Sequence, residues 1–189
     1  MFRKNVRRIK KRFPAISQSE GAGALVHRTI GHPSLSEIDP FLLLDEFVLT
    51  PEAGSGGFPD HPHRGFETVT YMINGIMTHR DTAGNQGTIG EGEIQWMTAG
   101  SGLIHSETPD YSRGDVRGIQ LWVNLPAKQK MRAPRYQDVQ STCIPTVSLA
   151  GSTVKILAGQ FGGVLGPVSE ISVNPLFLDV SFHQSTLFA

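Results

Sequence analysis

Residues 58–72 read FPDHPHRGFETVTYM, and the spacing of their polar side chains decides the fold. Read as one extended strand, alternate side chains share a face, so His61, His63 and Glu67 all point the same way. In a barrel that way is inward. Pro62 withholds an N–H from any ladder and is tolerated only at an edge, a bulge or the first residues of a strand. Such rim positions are where ligand sites usually sit.

A second stretch, QWMTAGSGLIHSETP at 95–109, repeats the spacing with His105 and Glu107 two residues apart. Three imidazoles and a carboxylate from two strands make a mononuclear metal site of borderline hardness. Iron(II) suits it first, with manganese, nickel, copper and zinc behind. The other histidines, His27, His32, His79 and His183, stand alone and are read as surface or satisfied core residues.

Working outward, the body of the chain reads as β. Its 21 glycines and 12 prolines separate short apolar runs, with turn signals at Asn74-Gly75, Gly84-Asn85 and Gly90-Glu91-Gly92. GIQLWVNL at 118–125 alternates, placing Ile119, Leu121, Val123 and Leu125 on one face and Gln120, Trp122 and Asn124 on the other. After residue 20 no segment of helical length keeps a 3.6-residue period. Short strands with frequent turns predict a sandwich or a small barrel.

Composition narrows the function classes. The 189 residues, 39% hydrophobic and 18% charged, suffice for one good-sized core and part of a second. The formal charge of +0 hides an asymmetry, because Arg3, Lys4, Arg7, Arg8, Lys10, Lys11 and Arg12 all precede the first acid. The remaining chain is acidic, which argues against a nucleic-acid-binding body. The basic start reads as a solvated leader, a transit peptide or a nuclear localisation patch. A single cysteine, Cys143, has no internal partner for a disulfide and suits a reducing compartment. No apolar run approaches a membrane span and no signal-peptide core is present, so a soluble intracellular protein is expected. Glycine pairs at Gly21 and Gly100 lack the context of a phosphate-binding loop, and Ser101 sits in no nucleophile elbow. Phe66, Trp96 and Met97 are candidates to line a pocket, although such side chains on strands more often fill core. Arg64 is a candidate for its mouth.

The stretches DPFLLLDEF (39–47), GGFPDHPHRGFETVTYMINGIMTHRDTAGNQGTIGEGEIQWMTAGSGLIHSE (56–107) and GIQLWVNLP (118–126) together resemble the pirin family of the cupin superfamily, over about Ser17 to Asp179. The resemblance implies an all-β double-stranded β-helix, or jelly-roll barrel, holding one iron, Fe(II) or Fe(III), per chain. Carried over, the ligands are His61, His63, His105 and Glu107. Glu67 stands where a typical cupin motif takes its carboxylate, whereas the pirin pattern takes it from Glu107, which leaves Glu67 a pocket or supporting role. Both glutamates remain candidates for a catalytic base. The resemblance further implies two functions. One is a redox-sensitive transcriptional co-regulator in nucleus and cytoplasm, with partners of the Rel/NF-kappaB and Bcl-3 type. The other is a quercetin (flavonol) 2,3-dioxygenase using dioxygen. Neither calls for sequence-specific nucleic-acid or membrane binding. The family pattern is that of a bicupin, much longer than this chain. The expected organisation is a leader at 1–16, a metal-binding barrel at 17–134 and a partial second barrel at 135–189 with unpaired edges and an exposed apolar face. The ending reads as that of a truncated product.

Overall fold

A computed structural model describes residues 9–54 and 56–186. The first eight residues, with much of the basic leader, and the last three lie outside the described residues.

The first eleven strands are β1 (Ile16–Glu20), β2 (Ala24–Ile30), β3 (Phe41–Leu49), β4 (Phe58–His63), β5 (Phe66–Asn74), β6 (Ile76–Asp81), β7 (Gln86–Gly90), β8 (Ile94–Thr98), β9 (Leu103–Asp110), β10 (Val116–Asn124) and β11 (Arg135–Val139). They form two antiparallel sheets, a larger one in the order β1-β2-β3-β10-β5-β8-β11 and a smaller one in the order β4-β9-β6-β7. Helix among the described residues is limited to three 3-10 turns, so the expected all-β class holds. No helix there is long and apolar enough to cross a membrane. All three turn signals join consecutive strands, at β5–β6, β6–β7 and β7–β8. Gly75 makes the first possible with φ 80°, a conformation that costs a side chain dearly.

Alternation along the larger sheet assigns its two faces. Val26, Phe47, Met72 and Val116 point inward and pack with Met77 and Ile89 of the smaller sheet. Val69, Tyr71, Ile94, Trp96, Leu121 and Val123 point outward, so the apolar face of GIQLWVNL looks away from the space between the sheets. That outer face is covered by the rest of the chain: Ile144, Leu157, Ala158 and Val168 pack on it. Burial of Ile144, Leu157 or Val168 is worth about 2 kcal/mol apiece, against at most about 1 kcal/mol for an exposed ion pair such as Lys155–Asp179 at 3.8 Å, so apolar packing holds the C-terminal strands in place.

Those strands are β12 (Thr146–Leu149), β13 (Ser152–Ala158), β14 (Gln160–Phe161), β15 (Val164–Leu165) and β16 (Phe177–Phe182). They form a three-stranded sheet, β12-β13-β16, and a two-stranded ribbon. The sheet ends on β16, where Phe182 is exposed, and Tyr71 ties that strand down by donating to Asp179 Oδ2 at 2.7 Å. The expected boundary at 134/135 needs moving. β11 pairs with β8 along Arg135↔Thr98 to Val139↔Ile94, so residues 135–139 are the edge strand of the first sheet.

Candidate metal centre

The segment that opened the sequence reading is not one strand. It breaks at Arg64–Gly65, where Gly65 adopts φ 80° and its N–H donates to Gly100 O at 2.8 Å. β4 goes to the smaller sheet and β5 to the larger, so alternation does not carry from His63 to Glu67. Within β4 it does hold. The strand is the edge of its sheet, which is where Pro59 and Pro62 cost no ladder bonds.

β4 pairs with β9 in a register that sets His61 opposite His105. The ring nitrogens of His61, His63 and His105 lie within 4.8 Å of one another. His61 Nδ1 donates to Pro59 O at 2.7 Å, which leaves a lone pair on Nε2. That Nε2 lies 2.9 Å from Nε2 of His63 and 3.1 Å from Nε2 of His105. One in-plane lone pair cannot satisfy both neighbours, whereas a cation at the centre satisfies all three. Two nitrogens about 2.1 Å from a metal and at right angles to each other are about 3.0 Å apart, against about 3.4 Å for a tetrahedral pair. The two separations from His61 Nε2 are of the size expected for nitrogens that share one ion. The cluster is thus compatible with a metal ion.

Electrostatics agree. Burial, reinforced by the neighbouring His61, lowers His63 from 6.5 to about 4. Burial together with His63 and His61 lowers His105 to about 3. Both imidazoles are neutral at pH 7, the form that ligates. Glu107, two residues along β9, is buried beside them, and burial pushes its carboxyl up while His61 and His79 oppose.

A cavity of about 800 Å³ opens beside the cluster, lined by Phe58, His61, His63, Phe66, Glu107 and Trp122 among others. The Phe66 and Trp122 rings lie 4.7 Å apart at 32°, and His63 meets Trp122 edge-on at 5.2 Å.

Several expectations are corrected. Glu67 is fully buried on the outer face of the larger sheet with Val69, and Thr98 Oγ1 donates to it at 2.7 Å; it does not line the cavity. Trp96 faces outward by the same alternation and fills the core under the C-terminal strands. Met97 faces inward but packs with Ala99 and Leu103 rather than on the cavity. Arg64 is exposed, with Nη2 3.4 Å from Met131 Sδ, and lines no part of it. Phe66 lines the cavity. Of the lone histidines, His27 and His183 bond hydroxyls of Ser17 and Thr153. His79 departs from the satisfied-core reading: it sits across from Glu107, stacks on Tyr136 at 5.0 Å and keeps Nδ1 without a hydrogen-bond partner. Buried His32 keeps Nε2 unpartnered too. Trp122, missed as a site residue, was nevertheless on the polar face of GIQLWVNL, the one that turns out to look into the cavity.

Comparison with known proteins agrees with the motifs. The Pirin family model matches residues 23–123. The chain is 49% identical over 173 residues to a pirin-like protein of Caulobacter vibrioides, covering 90% of this chain and 63% of that one. It is 49% identical over 152 residues to pirin of Homo sapiens, covering 80% and 51%. In structure it superposes on a quercetin 2,3-dioxygenase of Acinetobacter baumannii with TM-score 0.74 at 34% identity, over 83% of this chain and 58% of that one. The chain therefore spans about half to two thirds of the length of these proteins, and over that length its motifs, its cupin-type sheets and its matched residues make it a member of the pirin family.

Proposed function

We propose that this chain binds one iron through His61, His63, His105 and Glu107 and opens flavonols with dioxygen, as a quercetin 2,3-dioxygenase. The observation that carries the reading is the convergence of three imidazoles, two of which, His61 and His63, line a cavity walled by Phe66 and Trp122. The likeness to the Acinetobacter protein supports the substrate class. Iron(II), when bound, would supply the Lewis acidity and the redox chemistry that dioxygen requires.

The chain's own residues do the rest. The aromatic pair Phe66 and Trp122 offers a flat surface on which a planar ring system stacks and from which water is excluded. Glu107, which lines the cavity beside the histidines, is placed to take the proton of the substrate hydroxyl on its carboxylate. Glu67, on the other face of the sheet, has no part in that transfer.

Oxygen uptake with quercetin, measured on protein loaded with iron(II), tests the reading. Metal-dependent turnover that disappears in His105→Ala supports it; iron-loaded protein that takes up no oxygen with quercetin rejects it.

The second reading keeps the iron and uses its oxidation state as a switch for nuclear partners of the Rel/NF-kappaB and Bcl-3 type. What supports it is the rim, where Asp60 and Pro62 beside two of the histidines are exposed, so a change of charge at the metal is felt at the surface. Binding to a Rel-homology domain that differs between the iron(II) and iron(III) forms, without turnover, would favour it.

A further inference from the structure

A row of polar side chains crosses the inner face of the larger sheet at one level. Arg28 of β2 pairs with Asp45 of β3, Asp45 with Gln120 of β10 and Gln120 with Thr70 of β5. Beyond them, Thr70 pairs with Gln95 of β8 and Gln95 with Asp138 of β11. Next to this row on the same face lie Val26, Phe47 and Met72, a plain apolar core. Polar groups at such a level are costly unless they bond one another.

Most of them do. Arg28 Nε and Nη2 donate to Asp45 at 2.9 and 2.7 Å. Thr70 Oγ1 donates to Gln120 Oε1 at 2.7 Å, and Gln95 Nε2 donates to Asp138 Oδ1 at 2.8 Å. Gln120 is bonded on one side only. Its oxygen is held by Thr70, while its side-chain N–H groups have no protein acceptor among the described residues. It lines the cavity together with Arg28 and Asp45, and Trp122 follows two residues on along the same face.

We propose that Gln120 determines substrate specificity: oriented by Thr70, its amide donates to a ring oxygen substituent of a polyhydroxylated aromatic molecule stacked on Trp122. The inference rests on the flavonol reading of the same cavity and adds what that reading lacks, a group that tells one planar ring system from another. The aromatic pair accepts any flat molecule. An amide donor facing the cavity favours one whose oxygens reach it, because a ligand without them leaves that donor unpaired.

The test uses the whole metal-loaded chain and its Gln120→Leu and Gln120→Met variants, with bound metal counted by mass spectrometry. Two probes are titrated by quenching of tryptophan fluorescence. Quercetin carries hydroxyls on both outer rings; 3-hydroxyflavone keeps the hydroxyl-carbonyl pair and lacks the others. The native chain is expected to prefer quercetin by about tenfold, and both variants to lose about that factor for quercetin alone, at unchanged metal content. Variants that keep the preference, or that weaken both probes equally, overturn the role of Gln120 and leave the flavonol reading standing. A native chain that binds neither probe overturns the flavonol reading and this inference with it.

Discussion

Glu107 and Glu67 stand on opposite sides of the larger sheet: Glu107 lines the cavity with the histidines, and Glu67 lies on the face covered by the C-terminal strands. The three histidines cluster without either carboxylate, and of the two only Glu107 lies on their side of the sheet, which is why our reading gives it to the metal. Glu107→Gln should weaken metal binding by about tenfold or more, whereas Glu67→Gln should leave metal content as it is. Metal per chain after dialysis against a weak chelator separates them, and loss of metal in Glu67→Gln would refute the assignment.

Acid should destabilise the metal-free chain. His63 and His105 drop from 6.5 to about 4 and about 3 on folding. Between those values and 6.5 the unfolded chain holds protons that the folded chain lacks, so falling pH favours unfolding. Stability from this source is whole above about pH 6.5 and drains away as the pH falls toward 4 and then 3. Denaturant midpoints of metal-free protein across that range should fall, and His63→Asn with His105→Asn should flatten the slope.

Gly57→Ala should damage the site from outside it. Gly57 has φ 79°, and a Cβ there would meet Glu107 O at 2.3 Å, a backbone atom that moves only with β9. The strand carrying His105 and Glu107 must shift. A loss of about 1–3 kcal/mol in stability together with weaker metal binding is expected, read by thermal unfolding and metal titration.

The two tryptophans should behave as opposites. Trp96 is fully buried beneath the C-terminal strands, and Trp96→Ala should cost about 3–5 kcal/mol with the metal ligands untouched. Trp122 borders the cavity, and Trp122→Ala should cost less stability while abolishing quenching by an aromatic ligand. Denaturation and fluorescence titration of both variants check this.

How much of this was legible in the chain depended on whether the signal was local. His61, His63 and His105 sit in short stretches where alternation works, and they do meet. Glu67 was misplaced because alternation was carried through Gly65, and a residue at positive φ resets which face the next side chain takes. Trp96 was read as more often core than pocket, and it is core; which face of the sheet it takes was not legible, because the two faces of a sheet buried on both sides look alike in sequence. The row from Arg28 to Asp138 was invisible for another reason. It comes from the registers of six strands that are far apart in the chain, and register is a property of pairs.

The turn at Gly65 has a consequence for how such a chain can change. Because it is a joint between two sheets, substitutions downstream that retune the packing of Glu67, Val69 and Tyr71 against the C-terminal strands need not disturb His61 and His63 upstream. The chemistry and the scaffold can drift separately, four residues apart.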